Sequence, residues 1–73
     1  MSARETLLLR LLEVKRAMVT ALPAAKSAME YAEEDRHEQT IWLDCRGVLQ
    51  RLEEAEFNLD QALRHLEEED HHA

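Results

Sequence analysis

Two stretches of this chain carry apolar residues at alternating spacings of three and four, the pattern of a helix that packs against another helix. In the first stretch these residues are Leu7, Leu11, Val14, Met18, Ala21, Ala25, Ala28 and Ala32, and in the second they are Ile41, Cys45, Val48, Leu52, Ala55, Leu59, Ala62 and Leu66. We call these two rows the predicted seams. The segment 33–40 between them contains no apolar residue. The sequence therefore predicts an all-α fold, an antiparallel two-helix hairpin that resembles a coiled coil.

The boundaries follow from the polar segment and the tail. We expect a single domain over residues 1–73, with helix 1 at about 4–33, a turn at about 34–38, helix 2 at about 38–69 and a frayed tail at 70–73. Asp35 followed by Glu38 resembles a capping box, and Thr40 is a second candidate cap. The tail is expected to fray because its clustered carboxylates oppose the helix dipole.

Pro23 and Gly47 are the two residues that fit least well inside these helices. A proline in a helix interior removes one backbone hydrogen bond and costs about 3 kcal/mol, so Pro23 either kinks helix 1 or is the first residue of a new helix. The apolar spacing continues through Pro23 without a shift, which favours one kinked helix. An interior glycine costs about 1 kcal/mol relative to alanine. Gly47 either lets another backbone approach closely or has no structural role.

Length and charge exclude several classes of function. With 73 residues, 9 Lys and Arg and 16 Asp and Glu, the chain is one small acidic unit of net charge −7, which is unfavourable for binding a phosphate backbone. Residues 1–28 hold five basic and two acidic groups (+3), whereas residues 29–73 hold four basic and fourteen acidic groups (−10). This asymmetry favours packing of the first half against the second, or against an acidic partner.

The sequence also predicts a location. A single cysteine, Cys45, cannot form an internal disulfide and fits a reducing compartment. The leucine-rich segment 7–12 is interrupted by Arg10 and is followed by neither a cleavage site nor a long apolar run. We therefore expect a cytoplasmic protein from which nothing is removed and which does not insert into membranes.

No set of residues indicates catalysis or cofactor binding. Glu68 and His72 share a helix face but have no third ligand of fixed geometry, and His37 and His65 fit the surface or the rim of the hairpin. Cys45 occupies a predicted seam, where burial disfavours the thiolate. Glycine-rich phosphate loops and dinucleotide fingerprints are absent from the sequence. We expect neither an enzyme nor a protein with a metal or cofactor.

The chain has more apolar residues than the two seams use. Leu9, Tyr31, Trp42, Leu43 and Phe57 all lie outside them. A scaffold this small, without disulfide or metal, usually needs association for stability, and aromatic anchors dominate interfaces. Our candidates for contact with a partner are Leu8, Leu12, Val19, Trp42, Leu49, Phe57 and Leu63. In the alternative interpretation, Trp42 and Leu12 simply cover the open ends of the hairpin.

The second helix resembles a known family. The segment Gln39-Thr40-Ile41-Trp42, then Leu49, then the segment Leu52-Glu53-Glu54-Ala55-Glu56 resembles the YscE/SsaE-type small proteins of bacterial type III secretion. The resemblance covers about residues 36–66, whereas the first helix matches only in length and amphipathicity. Pro23 and the acidic tail depart from the family pattern.

The resemblance implies a specific role. Proteins of that family pair with a tetratricopeptide-like chaperone, and the heterodimer holds the secretion needle subunit monomeric in the cytoplasm. The needle subunit polymerises through amphipathic helices, whose apolar surface must stay covered until export. The resemblance therefore implies a non-enzymatic co-chaperone that supports the tetratricopeptide-like partner.

Two other functions are consistent with the same residues. The first is a self-associating structural or adaptor module, in which two hairpins form a homodimeric four-helix bundle. A homodimer of the isolated chain is also compatible with the chaperone role. The second, weaker hypothesis is an RNA-binding hairpin dimer that uses the basic first helix, which would have to retain nucleic acid at about 0.2 M salt.

Overall fold

The computed structural model consists of two long helices and confirms the all-α hairpin. It describes residues 2–34 and 39–72, with the side chains of 69–72 excepted. Helix α1 spans Ala3–Glu34 and helix α2 spans Gln39–His72. The predicted turn, its candidate cap pair Asp35 and Glu38, and His37 lie outside the described residues.

Helix α1 begins at a serine N-cap. The side-chain oxygen of Ser2 accepts a hydrogen bond from the backbone N–H of Glu5 at 3.1 Å, and the Ser2 carbonyl accepts one from the N–H of Thr6, also at 3.1 Å. A serine three residues before a glutamate satisfies backbone donors that have no partner within the helix. The Glu5 carboxylate also complements the positive end of the helix dipole. These interactions fix the start of α1.

Helix α1 continues through Pro23. The residue lies inside Ala3–Glu34, so no new helix begins there. Because Pro23 has no N–H, the carbonyl of Val19 lacks its usual donor one turn later. The alanines and long side chains around it are strong helix formers, which offsets part of this cost. At the other end of the chain, the backbone of α2 remains helical to His72, through part of the segment expected to fray.

Two contacts between the helices define their antiparallel arrangement. A guanidinium N–H of Arg4 donates to the carbonyl of Leu66 at 3.0 Å, and the ammonium of Lys15 lies 3.3 Å from the carboxylate of Asp60. Lys15 comes after Arg4 in α1, whereas its partner Asp60 comes before Leu66 in α2, so the two helices run in opposite directions. The molecule measures 56 × 18 × 15 Å, and its radius of gyration is 16.5 Å, whereas a compact domain of this length has about 11 Å.

The core of this hairpin is thin and lies near its middle. Leu22, Ala25 and Leu59 are buried, with 9%, 8% and 6% of their surfaces exposed. Among the described residues, no large side chain is fully buried. An elongated pair of helices has one contact line and no second layer to cover it. Eleven large apolar side chains of the described residues are therefore between 36% and 70% exposed.

The helices meet along a line rotated from the predicted seams. Leu22, Met29, Trp42, Leu49 and Leu63 are buried or half-buried, although none of the five belongs to a predicted seam. The predicted seam residues that are buried or half-buried are Leu11, Met18, Ala21, Ala25 and Ala32 of α1 and Cys45, Leu52, Ala55, Leu59, Ala62 and Leu66 of α2. In contrast, Leu7, Val14, Ile41 and Val48 are between 44% and 56% exposed.

The contact line differs from the predicted seams because the apolar stripe on each helix is wider than one contact needs. Each helix carries apolar residues at three adjacent positions of a seven-residue repeat rather than two, and such a wide stripe is typical of helices that face more than one neighbour. Two helices alone bury only two of these three rows. Spacing identified the stripe, but it could not show which pair of rows the hairpin uses. The third row, which starts at Leu7 in α1 and at Ile41 in α2, remains on one flank of the hairpin.

Candidate functional site

The predicted partner-contact residues divide into two groups. Leu8 is 36% exposed at the open end beside Leu66, and Trp42, Leu49 and Leu63 are half-buried along the helix contact. The other three are exposed: Leu12 (41%), Val19 (70%) and Phe57 (64%). The structure does not bring all seven into one patch. The exposed three remain accessible for contact with another protein.

Trp42 illustrates the first group. Its indole ring is half-buried and carries the guanidinium of Arg46 at 5.6 Å from the ring centre, a cation–π contact one helical turn away. The indole N–H is buried and has no acceptor among the described residues. The ring therefore lies half-buried near the start of α2, away from the open end of the hairpin where Leu8 and Leu66 lie.

One flank of the hairpin is entirely apolar, and we call it the second apolar face. It consists of Leu7, Val14, Ala21 and Ala28 of α1 and Ile41, Val48, Ala55 and Ala62 of α2, each row spaced by seven residues. In an antiparallel pair, equivalent positions of the repeat flank the contact on the same side. The four large members are about half exposed, and Ala21, Ala55 and Ala62 are half-buried beside the contact line.

The opposite flank is mostly charged, and we call it the charged face. It consists of Glu5, Leu12, Val19 and Lys26 of α1 and Arg46, Glu53, Asp60 and Glu67 of α2, again at seven-residue spacing. Six of these eight side chains are ionisable, compared with none on the second apolar face. Leu12 and Val19 are thus exposed apolar residues within charged surroundings. Phe57 lies beside this face, three residues before Asp60.

Gly47 is not explained by the packing of the hairpin. A Cβ built on Gly47 would lie 2.9 Å from a terminal guanidinium nitrogen of Arg51. That atom is the far end of a flexible, exposed side chain and moves away easily. The hairpin itself therefore does not require a glycine at this position.

Polar and reactive side chains of the described residues do not gather into a metal centre. Among the described side chains, no three His, Cys, Asp or Glu residues come together in a way that could hold a metal ion. Cys45 is a free thiol, half-buried along the helix contact. A cleft of about 280 Å³ at the open end is lined by Ser2, Arg4, Glu5, Leu8 and Leu66. The cleft therefore lies between the N-cap of α1 at Ser2 and the last turns of α2 at Leu66.

The exposed surface of the whole chain is large for its mass. The hairpin has 6050 Å² of accessible surface at 8.5 kDa, whereas a folded monomer of that mass exposes about 4,700 Å². The difference arises because both flanks of a two-helix unit face water. On the second apolar face and around Leu12, Val19 and Phe57, much of the additional surface is apolar. Surface of this kind marks sites of protein association.

Sequence reasoning missed two features of this arrangement. The N-cap at Ser2 was detectable from the serine-x-x-glutamate spacing. The second apolar face was contained within the predicted seams, but it was assigned to the contact inside the hairpin. The third apolar row beside each seam was the available signal, because a pair of helices buries only two rows.

Comparison with known proteins gives no relative for this chain. No family model, curated protein or solved structure matches it. Among the described residues, neither helix has a segment long and apolar enough to cross a membrane.

Proposed function

We propose that this protein is a non-enzymatic co-chaperone of type III secretion that acts in the cytoplasm. In this proposal it binds a tetratricopeptide-like chaperone and, together with it, helps to keep the needle subunit monomeric. The observation that carries the proposal is the exposure of large apolar side chains on a hairpin with so small a core. Such a chain gains most of its stability from a partner. The resemblance of residues 36–66 to the YscE/SsaE-type proteins supports this particular partner.

Leu12, Val19 and Phe57 are the proposed anchors for the chaperone. They are exposed, and carboxylates of Glu53, Asp60 and Glu67 accompany them on the same side of the hairpin. Apolar anchors within a charged rim are the usual composition of an interface between separate proteins. The acidic rim favours a partner whose groove is apolar with basic edges. Tetratricopeptide-like repeats stack helix pairs into concave surfaces that accept a helix in this way.

The role of the hairpin in this proposal is mechanical. It presents one rigid, amphipathic side to the chaperone and covers apolar surface that the chaperone would otherwise expose. The chaperone, stabilised in this way, covers the amphipathic helices of the needle subunit. No reaction is involved, so the function depends on affinity and on the order of assembly.

Co-expression of the chain with a tetratricopeptide-like chaperone of a type III system tests the proposal. We expect a stable heterodimer that co-purifies, melts at a higher temperature than the hairpin alone and retains the needle subunit as a monomer. Val19→Glu places a charge at a proposed anchor, and it should weaken the heterodimer at least about tenfold.

Thr20→Glu is the matched control, because Thr20 is exposed and its side chain lies a further 100° around the same helix. It should leave the affinity for the chaperone nearly unchanged. A chain that binds no such chaperone, or a Val19→Glu variant that binds as well as Thr20→Glu, would count against the proposal and its anchors.

A further inference from the structure

We propose that the second apolar face is an interface for a second copy of this chain, so that two hairpins form a four-helix bundle through Leu7, Val14, Ile41 and Val48 and the four alanines between them. The inference concerns a different face from the proposed chaperone site and does not depend on that proposal. It specifies which side of the hairpin self-associates and leaves the opposite side open.

The shape of the face favours its own copy. On each helix the large residues come first and the alanines follow: Leu7 and Val14 precede Ala21 and Ala28, whereas Ile41 and Val48 precede Ala55 and Ala62. Because the helices are antiparallel, the large residues of α1 lie beside the alanines of α2 at the open end, and the reverse holds near the turn. Large and small positions therefore alternate diagonally across the face.

This diagonal pattern is complementary to itself. A two-fold axis in the plane of the face, along or across the helices, places the large residues of one copy over the alanines of the other. Alanines let helices approach closely, and large side chains fill the space beside them. A symmetric dimer requires such self-complementarity, because the same patch is used on both subunits.

Charge selects this face rather than the opposite one. The chain carries a net charge of −7, so two copies repel each other. On the second apolar face none of the eight side chains is ionisable, whereas on the charged face six are, four of them Glu or Asp. Bringing two charged faces together would bury ionised groups, most of them of like sign, which is unfavourable, whereas burying alanine and leucine is favourable. Repulsion and desolvation are smallest across the second apolar face.

The area of surface also fits a dimer. A globular protein of twice this mass exposes about 7,700 Å², whereas two separate hairpins expose twice 6050 Å². Burial of roughly 4,400 Å² would bring the pair to the surface of an ordinary globular protein, and this lies within the range of permanent homodimers.

Sedimentation equilibrium of the full chain, without any partner, tests the inference. The wild-type chain should show a reversible equilibrium between monomer and dimer. Val48→Glu should weaken the dimer at least about a hundredfold, because a symmetric interface contains the new charge twice and each copy contributes about tenfold or more. The helix content should remain, since Val48 is 53% exposed in the hairpin.

Leu43→Glu is the matched control. Leu43 is on the same helix, five residues away and 56% exposed, but outside the second apolar face. We expect its effect on the dimer to be less than about threefold. Ala28→Leu is a second, independent variant: Ala28 is exposed, so the hairpin tolerates the larger residue. The dimer should weaken about tenfold, because large residues would now face each other.

Three results would overturn the inference. The first is a wild-type chain that stays monomeric at millimolar concentration. This result overturns the inference even if the second apolar face is then found to bind the chaperone. The second is a Val48→Glu variant that dimerises as well as Leu43→Glu. The third is an Ala28→Leu variant that dimerises more tightly than wild type, since this indicates unspecific association that grows with apolar area.

Discussion

At the scale of single residues, the contacts of this protein are modest in strength. The ion pair between Lys15 and Asp60 joins two half-exposed side chains, and such pairs contribute at most about 1 kcal/mol. The stacking of Arg46 on Trp42 is of similar size. These contacts fix the direction and alignment of the helices more than they stabilise them. Apolar burial supplies the rest, and Leu22, Ala25 and Leu59 provide its centre.

Gly47→Ala should stabilise the isolated hairpin by about 1 kcal/mol, because alanine has the higher helix propensity and the added Cβ displaces only the end of Arg51. For a chain of this size this corresponds to a rise in melting temperature of roughly 4–8 °C, measured by circular dichroism. The double variant Gly47→Ala/Arg51→Ala is the control and should show the same benefit at position 47, relative to Arg51→Ala alone. A lower melting temperature would show that another backbone or side chain needs this space.

At the scale of the helices, much of the fold could be predicted from the sequence. The spacing of apolar residues gave two helices and their antiparallel contact, because a period near 3.5 has few structural solutions. The contact line was harder to predict. Leu7 and Val14 are as apolar as Leu22 and Met29, and the choice between these rows depends on how both helices fit together. The position of Leu22 at the core is a property of the pair and is not visible in either helix alone.

Pro23→Ala tests the continuity of α1. Because Pro23 lies inside an unbroken helix and is exposed, alanine restores a hydrogen bond to the Val19 carbonyl and removes a steric conflict. We expect a gain of up to about 3 kcal/mol in the free energy of unfolding. It is measured by urea denaturation, under conditions in which the chain has the same oligomeric state as wild type.

Ser27→Ala serves as the control for this prediction, since Ser27 is also exposed on α1 and the change alters only helix propensity, by about 0.5 kcal/mol. A Pro23→Ala variant no more stable than Ser27→Ala would indicate that the local geometry at Pro23 is needed for packing of the two helices.

At the scale of the whole molecule, the interaction surfaces were only partly predictable. The excess of apolar residues is visible in the sequence, and Leu12, Val19 and Phe57 are exposed as an interface would require. Trp42, Leu49 and Leu63 were also predicted to contact a partner, whereas the hairpin itself leaves them half-buried. The number of apolar rows that a hairpin can bury is a property of the complete fold. The rows left over define where other chains bind.

The central claim is that this hairpin is one part of a larger assembly. Its most direct test is the melting temperature of the full chain measured from low micromolar to millimolar concentration, together with its mass at each concentration. Because association stabilises only the folded state, the melting temperature should rise with concentration as the mass approaches that of a dimer. A chain that remains at 8.5 kDa and melts cooperatively at one temperature, at every concentration and with the tetratricopeptide-like chaperone present, would contradict the claim.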